Sequence, residues 1–263
     1  MRENRTPGSA RGLVGNGQSY LNCEQTMNPA NYISHYFENE AGPFLNICDL
    51  QPKERSQIIS REKDSETGFN RFSHGEEFFA FRHLADDLLL ELYESKFGKA
   101  PTRRPFYGVL GDADVVGGLY RDPYKISMPI REFASDEITF MIPDHFHLVS
   151  FMKRNGGKKM FGYQLPKDYS ETEYPYFGKL LTYEELLEGF DALKIRHHLV
   201  RERTKNNWYR YVETQIWSHP ETLKSKFTEW IEVDPEPWTY NGTTYLQNYK
   251  TLKAEQVGAG QRR

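Results

Sequence analysis

Between Gly75 and Phe97, the apolar residues Phe78, Phe81, Ala85, Leu88 and Leu92 recur three and four positions apart. That spacing draws one continuous stripe along a long helix, and a core-facing helix accounts for the stripe entirely. Gly98 is placed to stop it. A shorter helix precedes it, with Asp49 as cap and Pro52 in the first turn, running to about Lys63. Strand signals surround this helical pair. Tyr32 to Phe37 alternates β-branched and aromatic residues before Gly42-Pro43 breaks the run. Pro105 to Leu110, Lys125 to Ile130 and Glu137 to Ile142 follow, the last ending at Pro143. Thr182 and Glu185 form a capping box for a helix over 183–193. Tyr209 to Trp217 reads as a strong strand and Trp230 to Val233 as a shorter one. Early helices followed mostly by strands predict an α+β fold rather than regular βαβ alternation.

Residues 1–28 are rich in Gly, Asn, Ser and Arg without apolar periodicity, and read as a flexible tail. Met27 is then either the start of the folded part or an alternative start of translation. Residues 29–253 read as a single domain and 254–263 as a second polar tail. Residues 153–177, with Gly156-Gly157, several Lys and many Tyr, read as a long loop of the kind that often serves function.

Composition narrows the function. Cys23 and Cys48 are the only cysteines, too few for a disulfide framework, and read as unpaired cytosolic thiols. No run of about 18 apolar residues occurs and no secretory signal opens the chain, so no membrane partner and a cytoplasmic location are expected. A net charge of −3 argues against bulk gripping of nucleic-acid phosphates, though not against a pocket for one nucleotide. Aromatics at 14% exceed what a core alone suggests and suit stacking on ligand rings. Dinucleotide-type glycine fingerprints, phosphate-binding loops and nucleophile elbows are all missing.

Four places carry candidate chemistry. In the late strand, alternation sets Tyr211, Glu213, Gln215 and Trp217 on one face, so a carboxylate and an amide stand two residues apart among aromatics. The bland alternative is a strand with one solvated face. His35 lies mid-strand on the face of Ile33 and Phe37, either as a hydrogen-bonded structural residue or as a site residue. Tyr107 is followed by Gly108 and Gly111, which allow a backbone or ligand to come close, or the tyrosine simply packs beside a bulge. Asp144, His145 and His147 could bind one metal if the two histidines point the same way from a strand.

Taken in order, these segments resemble the ADP-ribosyltransferase superfamily, and within it the DNA-targeting toxins of the DarT type. Pro105-Phe106-Tyr107-Gly108 is similar to a "PFYF" strand. Ile138 to Phe146, through Pro143-Asp144-His145, stands where that family has a segment like "vFTDgha". Val212-Glu213-Thr214-Gln215-Ile216 resembles an "AEFLV" strand, and the stretch from Trp230 to Val233 closes the match. The likeness spans about residues 31–234; the helical region is longer here and the first-strand phrase differs. The resemblance implies a split mixed or antiparallel sheet with flanking helices, NAD as co-substrate and no resident metal. It implies Glu213 as the catalytic residue, Gln215 beside it on the cofactor, and an Arg before Pro105, either Arg71 or Arg82, holding NAD. Alternatively His35, Tyr107 and Glu213 form a His-Tyr-Glu set, as in another branch. An acceptor that is nucleic acid or protein, an antitoxin or immunity partner, and a toxin or phage-defence role are expectations of the same resemblance.

Cleaving the nicotinamide–ribose bond builds positive charge on the ribose, which a carboxylate stabilises. Two rival readings stand beside it: a metal-dependent hydrolase or nuclease using Asp144, His145 and His147, and a non-catalytic protein-binding module.

Overall fold

The computed structural model describes residues 29–62, 71–151, 170–199, 211–236, 238–240 and 243–245. The alternating aromatic and β-branched residues of the first segment form β1 (Tyr32–Glu38), in which Ile33 to Phe37 are all buried. With β2 (Phe106–Leu110), β3 (Pro123–Pro129), β4 (Ile138–Met141), β5 (Glu213–Ile216) and β6 (Ile231–Glu232) it builds a six-stranded sheet. The strand order is β4-β5-β2-β1-β3-β6 and every pairing is antiparallel. The α+β class is therefore as the sequence predicts.

The sheet divides into two triplets. β1 pairs with β3 over its full length, from Tyr32 opposite Pro129 to Glu38 opposite Pro123. Its ladder with β2 holds only Ile33 opposite Leu110 and Ser34 opposite Val109. Beyond that point the His35 imidazole, not the backbone, reaches across to the Tyr107 carbonyl at 2.7 Å. Gly108 is needed here: a Cβ on it would lie 2.7 Å from the Ser34 carbonyl oxygen.

Helices cover both faces of the β4-β5-β2 triplet. α1 (Pro52–Glu62) and α2 (Glu76–Phe97) connect β1 to β2. The striped face of α2 is buried as the spacing requires, with Phe78, Phe81, Ala85, Leu88, Leu89 and Tyr93 packed on Met141, Trp217 and α3 (Phe146–Phe151). Each Phe and Leu among them contributes roughly 1.5–3 kcal/mol by leaving water. Gly98 ends α2 in the left-handed conformation at φ 67°, where its N–H donates to the Glu94 carbonyl. On the opposite face, α4 (Tyr183–Ala192) sets Leu186 and Phe190 against Phe106, Phe140 and Ile216. The Thr182–Glu185 capping box is formed reciprocally.

Two expectations are corrected. Among the described residues the late strand covers Glu213–Ile216 rather than running to Trp217, and it has no solvated face, because β5 lies between β4 and β2 with helices above and below and all four of its residues are buried. Asp49 caps no long helix; it closes a 3-10 turn, Ile47–Asp49, before α1 begins at Pro52. Residues 170–177 of the expected loop hold turns and no helix or strand, as a loop does, while their Tyr174, Tyr176 and Phe177 side chains are buried in the core. The expected tails, 1–28 and 254–263, and residues 153–169 of the expected loop lie outside the described residues. β7 (Trp238–Tyr240) and β8 (Thr243–Tyr245) pair as a separate hairpin. No described helix is long and apolar enough to cross a membrane.

Replacing Gly108 by alanine forces its Cβ onto a backbone oxygen that cannot rotate away. The variant is expected to lose about 1–3 kcal/mol of stability, measured by urea denaturation, as overpacking does elsewhere.

Candidate functional site

A cavity of ≈ 200 Å³ opens at the junction of the two triplets, with His35 to Glu38 of β1 and Tyr107 to Val109 of β2 in its walls. Arg82, Asp144, His145 and Glu213 also line it. Most of the remaining wall is apolar.

Glu213 begins β5, opposite Val109 of β2 and Met141 of β4, and is 6% exposed. Its carboxylate is held by N–H groups from two residues. Oε1 accepts from the His145 backbone N–H at 3.0 Å and from Gln215 Nε2 at 2.8 Å. His145 Nδ1 lies 3.0 Å from Oε1 and 2.9 Å from Oε2. Oε1 is thus crowded with donors, while among the described residues Oε2 has the Nδ1 contact alone.

The sequence sets this up locally. β4 ends at Met141, a cis Ile142–Pro143 bond follows, and Asp144 caps the first turn of α3 by accepting the Phe146 N–H at 3.1 Å. That turn delivers the His145 N–H and imidazole to Glu213. The imidazole lies against the Tyr107 ring, centroids 4.2 Å apart and 25° between planes. The Arg82 guanidinium carbon sits 4.1 Å from the Tyr107 ring centroid and 5.2 Å from that of Phe146, a cation–π arrangement in a desolvated place. Arg82 Nε lies 3.2 Å from Asp86 Oδ1, and Tyr107 donates its hydroxyl to the same oxygen at 2.6 Å.

The charges follow from these partners. Burial works against the Arg82 cation, yet the Asp86 carboxylate and the Tyr107 hydroxyl beside it raise its pKa further above the arginine range. Burial would raise Asp86, but the charges of Arg82 and His145 and the hydrogen bonds of Tyr107 and Asn46 hold it below the usual carboxylate range. Tyr107 is pushed well above the usual phenol range, by burial first and Asp86 next, so it stays a donor. Burial and the Asp86 charge push the free Cys48 thiol up to about 12.

The expected site residues separate clearly. Glu213, Tyr107 and Arg82 come together at the cavity. Arg71 opens the 3-10 turn Arg71–His74, and its side chain lies outside the described residues. His35 borders the cavity, but both ring nitrogens are used inside the protein. Nδ1 donates to the Tyr107 carbonyl and Nε2 accepts the Phe44 N–H at 2.9 Å, so neither is left for a ligand. Gln215 does not reach the cavity at all. It is fully buried and relays a chain from Trp217 Nε1 through Thr139 Oγ1 to Glu213, at 2.9, 3.0 and 2.8 Å. The pairing of Asp144, His145 and His147 as metal ligands also fails on geometry. They start a helix rather than a strand, His145 turns to Glu213, and His147 Nδ1 turns back to Asp144 at 2.8 Å. Among the described residues no three His, Cys, Asp or Glu groups converge as a metal would need.

Sequence reading missed Asp86 and the link from His145 to Glu213. Asp86 does fall four residues after Arg82, the spacing of a helical ion pair, on the striped face. An acid and a base on a core face are a signal that pattern reading could use. No family model, curated protein or solved structure matches the chain.

His35 makes stability depend on pH. Burial lowers its pKa from 6.5 to about 4, against a smaller opposing effect of the Tyr107 carbonyl. The folded state therefore binds the proton less well than the unfolded chain. Its contribution is complete above pH 6.5 and is lost as pH falls from there through 4, in total about 3 kcal/mol. Denaturation midpoints should fall over that window in the wild type and fall less in His35→Gln, which cannot take up the proton.

Proposed function

We propose that this chain is an NAD-dependent ADP-ribosyltransferase with Glu213 as the catalytic carboxylate and Arg82 and Tyr107 on the cofactor. The observation that carries the reading is the Glu213 carboxylate, oriented by converging N–H donors at the edge of a cavity that also presents a buried guanidinium and a ring face. The divided antiparallel sheet with helices on its faces supports the same reading, since the family resemblance implies a split sheet with flanking helices.

In this reaction the bond from ribose C1′ to the nicotinamide nitrogen breaks, and both electrons leave with the nicotinamide. The acceptor forms the new bond to C1′ and releases its proton to solvent. Positive charge grows on the ribose in between, and a fixed carboxylate stabilises it. Oε2, with fewer donors on it than Oε1, is the oxygen assigned to a ribose hydroxyl. The apolar wall strengthens that interaction by excluding water. A cavity of ≈ 200 Å³ suits one ring and one sugar rather than a whole dinucleotide, so the remainder of NAD extends outward. Arg82 offers its cation to the diphosphate. An acceptor that is nucleic acid or protein, an antitoxin-like partner and a toxin or phage-defence role belong to the same reading.

Purified wild type is expected to release nicotinamide from NAD, and Glu213→Gln to be slower by about 10²–10³, as for removal of one electrostatic stabiliser. Equal release by both proteins would overturn the assignment of Glu213. No binding and no release by the wild type would leave the protein-binding module as the better reading.

A further inference from the structure

We propose that His145 is a positioning residue for Glu213, acting through a proton fixed on Nδ1. The inference rests on Glu213 being the catalytic carboxylate, but its first test needs no NAD.

One residue supplies two N–H groups to one carboxylate: the His145 backbone N–H reaches Oε1 at 3.0 Å, and Nδ1 stands 3.0 and 2.9 Å from the two oxygens. A bare nitrogen lone pair cannot face two carboxylate oxygens at that range, so Nδ1 carries hydrogen. The ring cannot swing away. Tyr107 stacks on it at 4.2 Å and Phe146 lies 4.4 Å off at 31°. Its other nitrogen, Nε2, is buried and has no hydrogen-bond partner among the described residues; it lies 3.7 Å from Asp86 Oδ1. The charged and titratable groups around the ring are Glu213 from β5, Asp86 and Arg82 from α2, and Tyr107 from β2. Asp144 and His147 of its own turn are bonded to each other.

The consequence is asymmetric. Gln215 and the His145 backbone both hold Oε1, whereas the imidazole is the one described group that reaches Oε2. Without the imidazole the carboxylate can turn about its last torsion, and Oε2 no longer meets a substrate hydroxyl in a fixed place. Such a change alters the transition state more than binding.

The first test is nitrogen NMR on histidine-labelled wild type, with the His145 signal assigned by its loss in His145→Asn. A hydrogen on Nδ1, protected from exchange, is expected; an unprotonated Nδ1 overturns the proposal. The second is kinetic. His145→Leu is expected to lose about 100-fold in kcat with KM for NAD nearly unchanged. His145→Asn, whose amide can donate from near the Nδ1 position, is expected to recover about 10-fold of that loss. Equal losses in the two variants, or none, overturn it. Should the leucine variant fail to fold, His145→Gln, whose amide falls near Nε2 instead, takes its place and must remain as slow as expected for leucine. If the wild type releases no nicotinamide, the transferase reading falls and the NMR result alone decides the role of His145.

Discussion

Asp86 sits on α2 with no exposed surface, and groups from four parts of the chain meet on it. Asn46 donates at 3.2 Å while also reaching the Pro105 carbonyl, and Tyr107 donates at 2.6 Å. Arg82, Arg104 and His145 stand at 3.2, 3.8 and 3.7 Å. A carboxylate taken out of water costs several kcal/mol unless it is paired and hydrogen-bonded. Here the pairing also does geometric duty: it ties the long helix to β2, to the segment before α1 and to the turn that carries His145. Removing it would leave Arg82 as an uncompensated buried cation beside the cavity.

The cavity owes its chemistry to that arrangement. Arg82 is held charged in a desolvated position, Tyr107 is held as a neutral donor, and the Tyr107 ring faces both the guanidinium and the imidazole. Glu213 is reached from another direction, through the Trp217–Thr139–Gln215 chain on the strand side and His145 on the helix side. Arg82 is paired with Asp86 and Glu213 is hydrogen-bonded by His145, so each of the two opposite charges lining this small space is held by its own partner. That is the condition under which fixed groups act on a substrate rather than on one another.

Much of the frame was legible from local pattern. The stripe from Phe78 to Leu88, Gly98 as its stop and the Thr182–Glu185 box are contacts within a few residues, so spacing alone reveals them. The succession of strands along the chain was legible for the same reason, and Glu213 stood out because strand alternation put it beside Gln215. Solvation was not legible. The polar Glu213 and Gln215 left β5 open to either a site face or a solvated one, whereas both are buried and hydrogen-bonded, and a polar residue looks the same in sequence whether water or an amide satisfies it.

The sequence by itself determined the α+β class, the main helices and strands, and the residue types able to serve a site, since these depend on propensity and short-range periodicity. Only the tertiary structure decided their roles. It spent His35 on internal hydrogen bonds, withdrew Gln215 from the cavity, brought Arg82 to it, and turned His145 from a candidate metal ligand into the partner of Glu213. Asp86 and Tyr107 lie 21 residues apart, and His145 and Glu213 lie 68 apart. Pairings at such separations are fixed by how the sheet divides and how helices cover it, and no local pattern in the chain encodes them.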